Sequence, residues 1–145
     1  MRQEVLLDTG PLVAFLNRRD ASHDWASGHW QQLSPPMLTN ESVLSEASFL
    51  LAEFGGDPDA VFELLEREVV RVSFDLEHHA TAVRKLMRKY RATPMSLADA
   101  CLVRMSELGP DTAVFTLDRD FNVYRRHGRQ VIPLIGQSTG RTRQR

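Results

Sequence analysis

Short apolar runs and amphipathic segments alternate along the chain. Glu4-Val5-Leu6-Leu7 reads as a buried strand, and Thr9-Gly10-Pro11 turns it into a helix with proline near its start, where no backbone N–H is required. The segment 22–33 is amphipathic, with Trp25, His29 and Trp30 available for one face, and Pro35-Pro36 stops it. Residues 37–39 predict a short strand. The helix after it places Val43, Ala47, Leu50 and Leu51 together and ends at Gly55-Gly56, and Asp57-Pro58 reads as an N-cap with a first-turn proline for the next. Residues 69–74 alternate as a strand should, Asp75 can cap a long helix to about Tyr90, and Ser96 opens another to Leu108 that Gly109-Pro110 ends. The pattern closes with a strand at 113–117, a short helix at 119–126 and a last strand at 130–134.

Repeated strand-then-helix order predicts an α/β fold, a mostly parallel sheet with helices on both faces. A chain of 145 residues suffices for one domain with a real core, placed at 1–135. The polar, basic tail 136–145 lacks periodicity and is expected to stay outside that core without fixed structure. The formal net charge of -1 argues against coating nucleic acid by bulk charge, although 18 Lys and Arg can still cluster into a basic surface. Cys101 is the only cysteine, which excludes a disulfide framework, and between Ala100 and Leu102 it reads as core. No long apolar stretch follows a basic start, so no leader and no membrane span are expected, and a cytoplasmic location is the default.

Chemistry enters through four acids: Asp8 after the first strand, Glu46 in the third helix, Asp99 in the first turn of the helix opened by Ser96, and Asp118 after the strand at 113–117. Each has an ordinary reading. Asp8 and Asp118 can cap the helices that follow them, Ser96-Leu97-Ala98-Asp99 is a variant capping box, and Glu46 can be a solvated helix position. Their apolar neighbours point further, because a carboxylate flanked this closely by Leu, Val and Ala is costly to desolvate without a positive partner. In parallel sheets ligands bind beyond the carboxyl ends of the strands. Asp8 and Asp118 fall at that edge, and helix starts can be aimed at it. A hard divalent cation is the natural partner for such a group, since it takes oxygen ligands and keeps several waters.

The pieces Leu7-Asp8-Thr9-Gly10-Pro11-Leu12, Ser45-Glu46, Ser96-Leu97-Ala98-Asp99-Ala100 and Thr116-Leu117-Asp118-Arg119-Asp120-Phe121 together resemble the PIN-domain ribonucleases, in particular the VapC-type toxins of toxin–antitoxin pairs. The resemblance runs from about Val5 to Leu134. It implies a three-layer α/β/α fold with a central parallel sheet of four to five strands, and an Mg²⁺- or Mn²⁺-dependent endoribonuclease. It further implies a homodimer and an antitoxin partner that occupies the active-site groove. Carried over by residue, Asp8, Asp99 and Asp118 become metal-binding carboxylates and Glu46 a ligand directly or through water. Thr9, Thr116 and Ser96 support the site by hydrogen bonds, and Asp120 is auxiliary.

Two carboxylates about 5 Å apart repel by about 3 kcal/mol at an effective dielectric near 20. A site built from several such pairs therefore favours a cation. RNA must also be drawn to an acidic pocket, and Arg84, Lys85, Arg88, Lys89 and Arg119 are the candidates to contact its phosphates, against the alternative of a solvated helix face. Trp25 and Trp30 are assigned to packing rather than base stacking. Two other readings stay open on the residues alone. One is a haloacid-dehalogenase-like phosphohydrolase using Asp118 and Asp120, although Asn122 stands where its motif expects Thr or Val. The other is a non-catalytic metal-binding interaction module that kept the acids.

Overall fold

In the computed structural model, residues 3–136 are described, and five strands form one parallel sheet in the order β3-β2-β1-β4-β7. The strands are β1 (Glu4–Leu7), β2 (Met37–Thr39), β3 (Val70–Val72), β4 (Thr112–Phe115) and β7 (Leu134–Ile135). A separate antiparallel ribbon pairs β5 (Arg125–Arg126) with β6 (Gln130–Val131). The helices are α1 (Thr9–Leu16), α2 (His23–Trp30), α3 (Glu41–Phe54), α4 (Asp59–Glu66), α5 (Ala80–Lys89) and α6 (Leu97–Leu108). They flank the sheet as the outer layers of an α/β/α sandwich. β1 and β4 occupy the centre, and every residue of β4 is buried, as expected where helices cover both faces of a parallel sheet.

The order of the strands decides where a ligand can sit. From β1 the chain runs outward through β2 and β3, then returns to the opposite side of β1 with β4 and β7. The carboxyl ends of β1 and β4 therefore flank the point where the connections diverge, which opens a crevice between the loops.

Local chemistry sets the helix starts that line this crevice. Asn40, buried, caps α3 by accepting from the Val43 N–H at 3.0 Å. Ser96 and Asp99 close a full capping box on α6. Trp30 stacks on Phe15 with ring centroids 4.0 Å apart, and Trp25 packs on Phe115 while its indole N–H donates to the Gly136 carbonyl at 3.2 Å. Both indoles are thus spent on packing.

Three elements differ from the sequence reading. The segment 119–126 is not one helix: a 3-10 turn, Arg119–Asn122, gives way to β5. Residues 130–134 form two strands rather than one, because Pro133 carries no N–H to continue a ladder and the chain changes sheets there. The long helix expected after Asp75 begins as a 3-10 turn, Glu77–His79, and becomes α-helical at Ala80. Asp57 does act as a cap, accepting from the Asp59 N–H at 3.0 Å, with Pro58 in helical conformation behind it. Beyond Gly136 the expected basic tail lies outside the described residues.

Candidate active site

Register brings the first two groups together. Leu7 lies beside Phe115 in the parallel pairing of β1 and β4, so the next residue of each chain, Asp8 and Thr116, emerges at the same level. The Thr116 hydroxyl donates to Asp8 Oδ2 at 2.6 Å, and the Thr9 N–H donates to Asp8 Oδ1 at 2.8 Å. Only 6% of Asp8 is exposed. Burial pushes its carboxyl up to about 7, against the pull of those two hydrogen bonds, and the nearby charges of Asp99 and Asp118 push it further the same way.

The other acids are tied to the same pair of strand ends. Glu46 sits on the exposed side of α3, and its Oε1 accepts from the Thr9 hydroxyl at 2.9 Å. Thr9 therefore holds two carboxylates, one with its backbone and one with its side chain. Thr116 ties one carboxylate to the next turn's backbone: while donating to Asp8 it accepts from the Asp118 N–H at 2.9 Å. Asp118 Oδ1 in turn accepts from the Asp120 N–H at 2.9 Å, capping the turn at Arg119–Asn122. Asp99 Oδ2 accepts from the Ser96 N–H at 3.0 Å, and the Ser96 hydroxyl accepts from the Asp99 N–H at 3.0 Å. Burial and the Asp118 charge raise the carboxyl of Asp99, and the same two causes raise that of Asp120.

Asp8, Thr9, Glu46, Ser96, Asp99, Asp118 and Asp120 all line one cavity of about 420 Å³. Among the described residues no Lys, Arg or His lies within ion-pairing distance of Asp8, Glu46 or Asp99. The capping and site readings of the acids turn out not to compete. A carboxylate offers about four lone-pair positions, so Asp8, Asp99 and Asp118 each cap a helical turn and keep capacity facing the cavity.

Sequence reasoning missed Tyr124. Its fully buried ring packs edge-on against Tyr90 and Phe121, and its hydroxyl lies 3.3 Å from Asp99 Oδ2 while donating to the Pro94 carbonyl. Asp99 Oδ2 is thus approached by both the Ser96 N–H and the Tyr124 hydroxyl. Nothing local in the sequence links positions 25 residues apart, so no signal could have found this contact. The basic candidates do not line the acidic cavity. Lys85 and Lys89 line a separate cleft, Arg84 and Arg88 are exposed elsewhere on α5, and Arg119 is exposed in the turn directly after Asp118.

The profile of the PIN domain family matches residues 5–126. The chain belongs to the PIN domain family. The solved structure of Mycobacterium tuberculosis VapC20, described as a sarcin-ricin loop cleaving toxin, is similar to it with a TM-score of 0.71 and 25% sequence identity, covering 83% of this chain and 94% of that one. No curated protein sequence matches it. Among the described residues no helix is long and apolar enough to cross a membrane.

The donor set of this PIN site suits a hard divalent ion, being all carboxylate and hydroxyl oxygen. Among the described residues no three acidic, histidine or cysteine side chains stand close enough to enclose an ion by themselves. The oxygen donors present fit a hard divalent cation that completes its shell with water.

Proposed function

We propose that this PIN protein is a divalent-metal-dependent endoribonuclease and the toxin of a toxin–antitoxin pair, acting in the cytoplasm as a homodimer with its antitoxin as protein partner. The observation that carries the reading is Asp8: a buried carboxyl at the carboxyl end of the central strand, raised to about 7, with Asp99 and Asp118 as like-charged neighbours and, among the described residues, no cationic side chain paired with it. Perturbed acids gathered in a cleft at a sheet's switch point are a mark of function more often than of structure.

Asp8, Asp99 and Asp118 would hold the ion, Mg²⁺ or Mn²⁺, with Glu46 joining directly or through water. When bound, such an ion supplies charge neutralisation at the phosphate oxygens and a water acidic enough to give up a proton. The protein's part is orientation. Thr9 and Thr116 fix both oxygens of Asp8, Thr9 also steers Glu46, and Ser96 with Tyr124 holds Asp99 by Oδ2. Asp120 adds negative charge beside Asp118 and is an auxiliary ligand. The phosphohydrolase alternative is less well served, because the buried acid at the heart of the site is Asp8, and Gly10 rather than an acid stands two residues after it.

The similarity to a toxin that cleaves the sarcin-ricin loop makes a structured ribosomal RNA loop the first substrate to try. Purified protein incubated with such a loop and with a pool of structured RNAs should make internal cuts in Mg²⁺ or Mn²⁺ and none in EDTA. Asp8→Asn should lower cleavage at least about a hundredfold, the scale of losing a group that orients a metal site. Release of phosphate from small phosphoesters without RNA cutting would overturn the assignment.

A further inference from the structure

A second cleft, of about 540 Å³, opens between the 3-10 turn Glu77–His79, α5, α6 and the β5–β6 ribbon, and shares no lining residue with the acidic cavity. Its walls carry Lys85, Lys89 and Arg104 against a single acid, Glu107. That acid is already committed. Glu107 Oε1 accepts from Arg104 at 3.0 Å, and Oε2 accepts from the His127 N–H at 2.8 Å. The chain as a whole carries -1, so this is a local excess of positive charge on a slightly acidic protein.

Two of the donors are held in place. Arg104 is braced by Glu107 and by a 3.3 Å hydrogen bond from its Nε to His79 Nδ1, which leaves three of its five N–H groups unspent. Lys89 is tethered by one N–H to the Gly128 carbonyl at 2.9 Å, with two remaining. Lys85 lies one helical turn before Lys89 on the same face of α5. The His79 ring is stacked on Phe74, and the exposed His78 ring stands edge-on to it with centroids 5.4 Å apart. Fixed cationic donors beside an exposed planar ring are the combination that single-stranded nucleic acid uses, backbone on the charges and a base on the ring.

We propose that this cleft binds phosphates of the RNA strand flanking the cut site, with Lys85, Lys89 and Arg104 as the donors and His78 as a stacking surface for an unpaired base. The inference rests on the ribonuclease reading. α6 runs past both sites, with Asp99 in its first turn and Arg104 five residues on, about 7.5 Å along the axis and about 140° around it. A strand that engages both must therefore curve around the helix. The acidic cavity then supplies the chemistry and repels the substrate, while the basic cleft supplies the attraction that the cavity lacks.

The test measures binding of a fluorescently labelled RNA stem–loop to the full chain in EDTA across a salt series, and cleavage of the same RNA in Mn²⁺. Replacing both lysines, Lys85→Ala with Lys89→Ala, should weaken binding at least tenfold. It should also flatten the dependence of log K on log salt by about 1.4, since each single-strand phosphate contact contributes about 0.7. Both lysines are exposed, so folding should survive; Lys85→Gln with Lys89→Gln, equally neutral, serves as the second variant, and the two Lys→Arg changes should restore binding. The control pair Arg67→Ala with Arg71→Ala removes the same charge from exposed positions that do not line the cleft and should leave the salt dependence unchanged. An unchanged affinity and slope in the lysine variants, or an equal effect of the control pair, overturns the cleft while leaving the nuclease standing. So does loss of binding to an acidic polypeptide with RNA binding intact. A wild-type chain that neither binds nor cuts RNA overturns the nuclease reading itself.

Discussion

Asp8 shows at the scale of one residue how a site is held in strain. In the unfolded chain its carboxyl ionises near the ordinary value of 3.8, whereas in the fold it does so at about 7. Between those values the folded state keeps a proton that the unfolded state has lost, so stability falls as pH rises through that window and levels off above it. The full difference is about 4 kcal/mol at 1.36 kcal/mol per unit. Asp8→Asn removes this loss. In EDTA the variant's stability advantage over wild type should grow from near zero at pH 4 to as much as about 4 kcal/mol above pH 7, followed by urea unfolding at each pH. A variant less stable than wild type at every pH would show that the carboxylate serves the fold rather than the site. Tyr124→Phe tests orientation. It removes the hydroxyl beside Asp99 without altering the ring packing, and it should weaken Mn²⁺ binding by roughly tenfold, as outer-sphere partners of metal ligands do. Thermal stability should change far less, and unchanged Mn²⁺ affinity would assign the hydroxyl to Pro94 alone.

Helix starts carry the site at the scale of elements. α1 and the 3-10 turn at Arg119–Asn122 begin with an acid that also lines the cavity, and α6 carries one in its first turn, so the same hydrogen bonds that stop the helix from fraying also aim the carboxylate. These starts were legible in the residues: Asp8-Thr9-Gly10-Pro11 and Ser96-Leu97-Ala98-Asp99 announce themselves by local propensity alone. The 3-10 turn and ribbon after Asp118 were not, since segments this short are set by their neighbours. Tyr90, for example, accepts from the Arg125 N–H at 2.8 Å and fixes where β5 begins. Ser96→Ala breaks one half of the capping box, the bond from the Asp99 N–H to the Ser96 hydroxyl, and keeps the backbone N–H that holds Asp99 Oδ2. It should cost about 1 kcal/mol by thermal unfolding and leave Mn²⁺ binding within about twofold, because the carboxylate keeps its backbone anchor. A large loss of metal affinity would show that the hydroxyl positions Asp99 as well as the helix.

The whole molecule adds strand order and charge placement. Crowding carboxylates at the switch point leaves an electrostatic cost that a cation relieves only in the folded state, so a divalent ion should stabilise the fold by mass action. At a hundredfold excess over its dissociation constant the gain is about 2.7 kcal/mol, on the order of 8 °C in melting temperature for a domain of this length. Calorimetry with and without Mn²⁺ should show that shift in wild type and none in Asp8→Asn with Asp99→Asn. An equal shift in the double variant would place the ion elsewhere.

Periodicity and local turn chemistry were enough to establish an α/β chain, its central strands, its helix starts and the four acids worth watching, because those signals are written within a few neighbouring residues. The sheet order that sets Asp8 level with Thr116, the hydroxyl of Tyr124 beside Asp99, and the separation of Lys85 and Lys89 from the acidic cavity depend on contacts between segments distant in the chain. Only packing decides them, since no local pattern records which strand lies beside which or which face a helix turns to its neighbour.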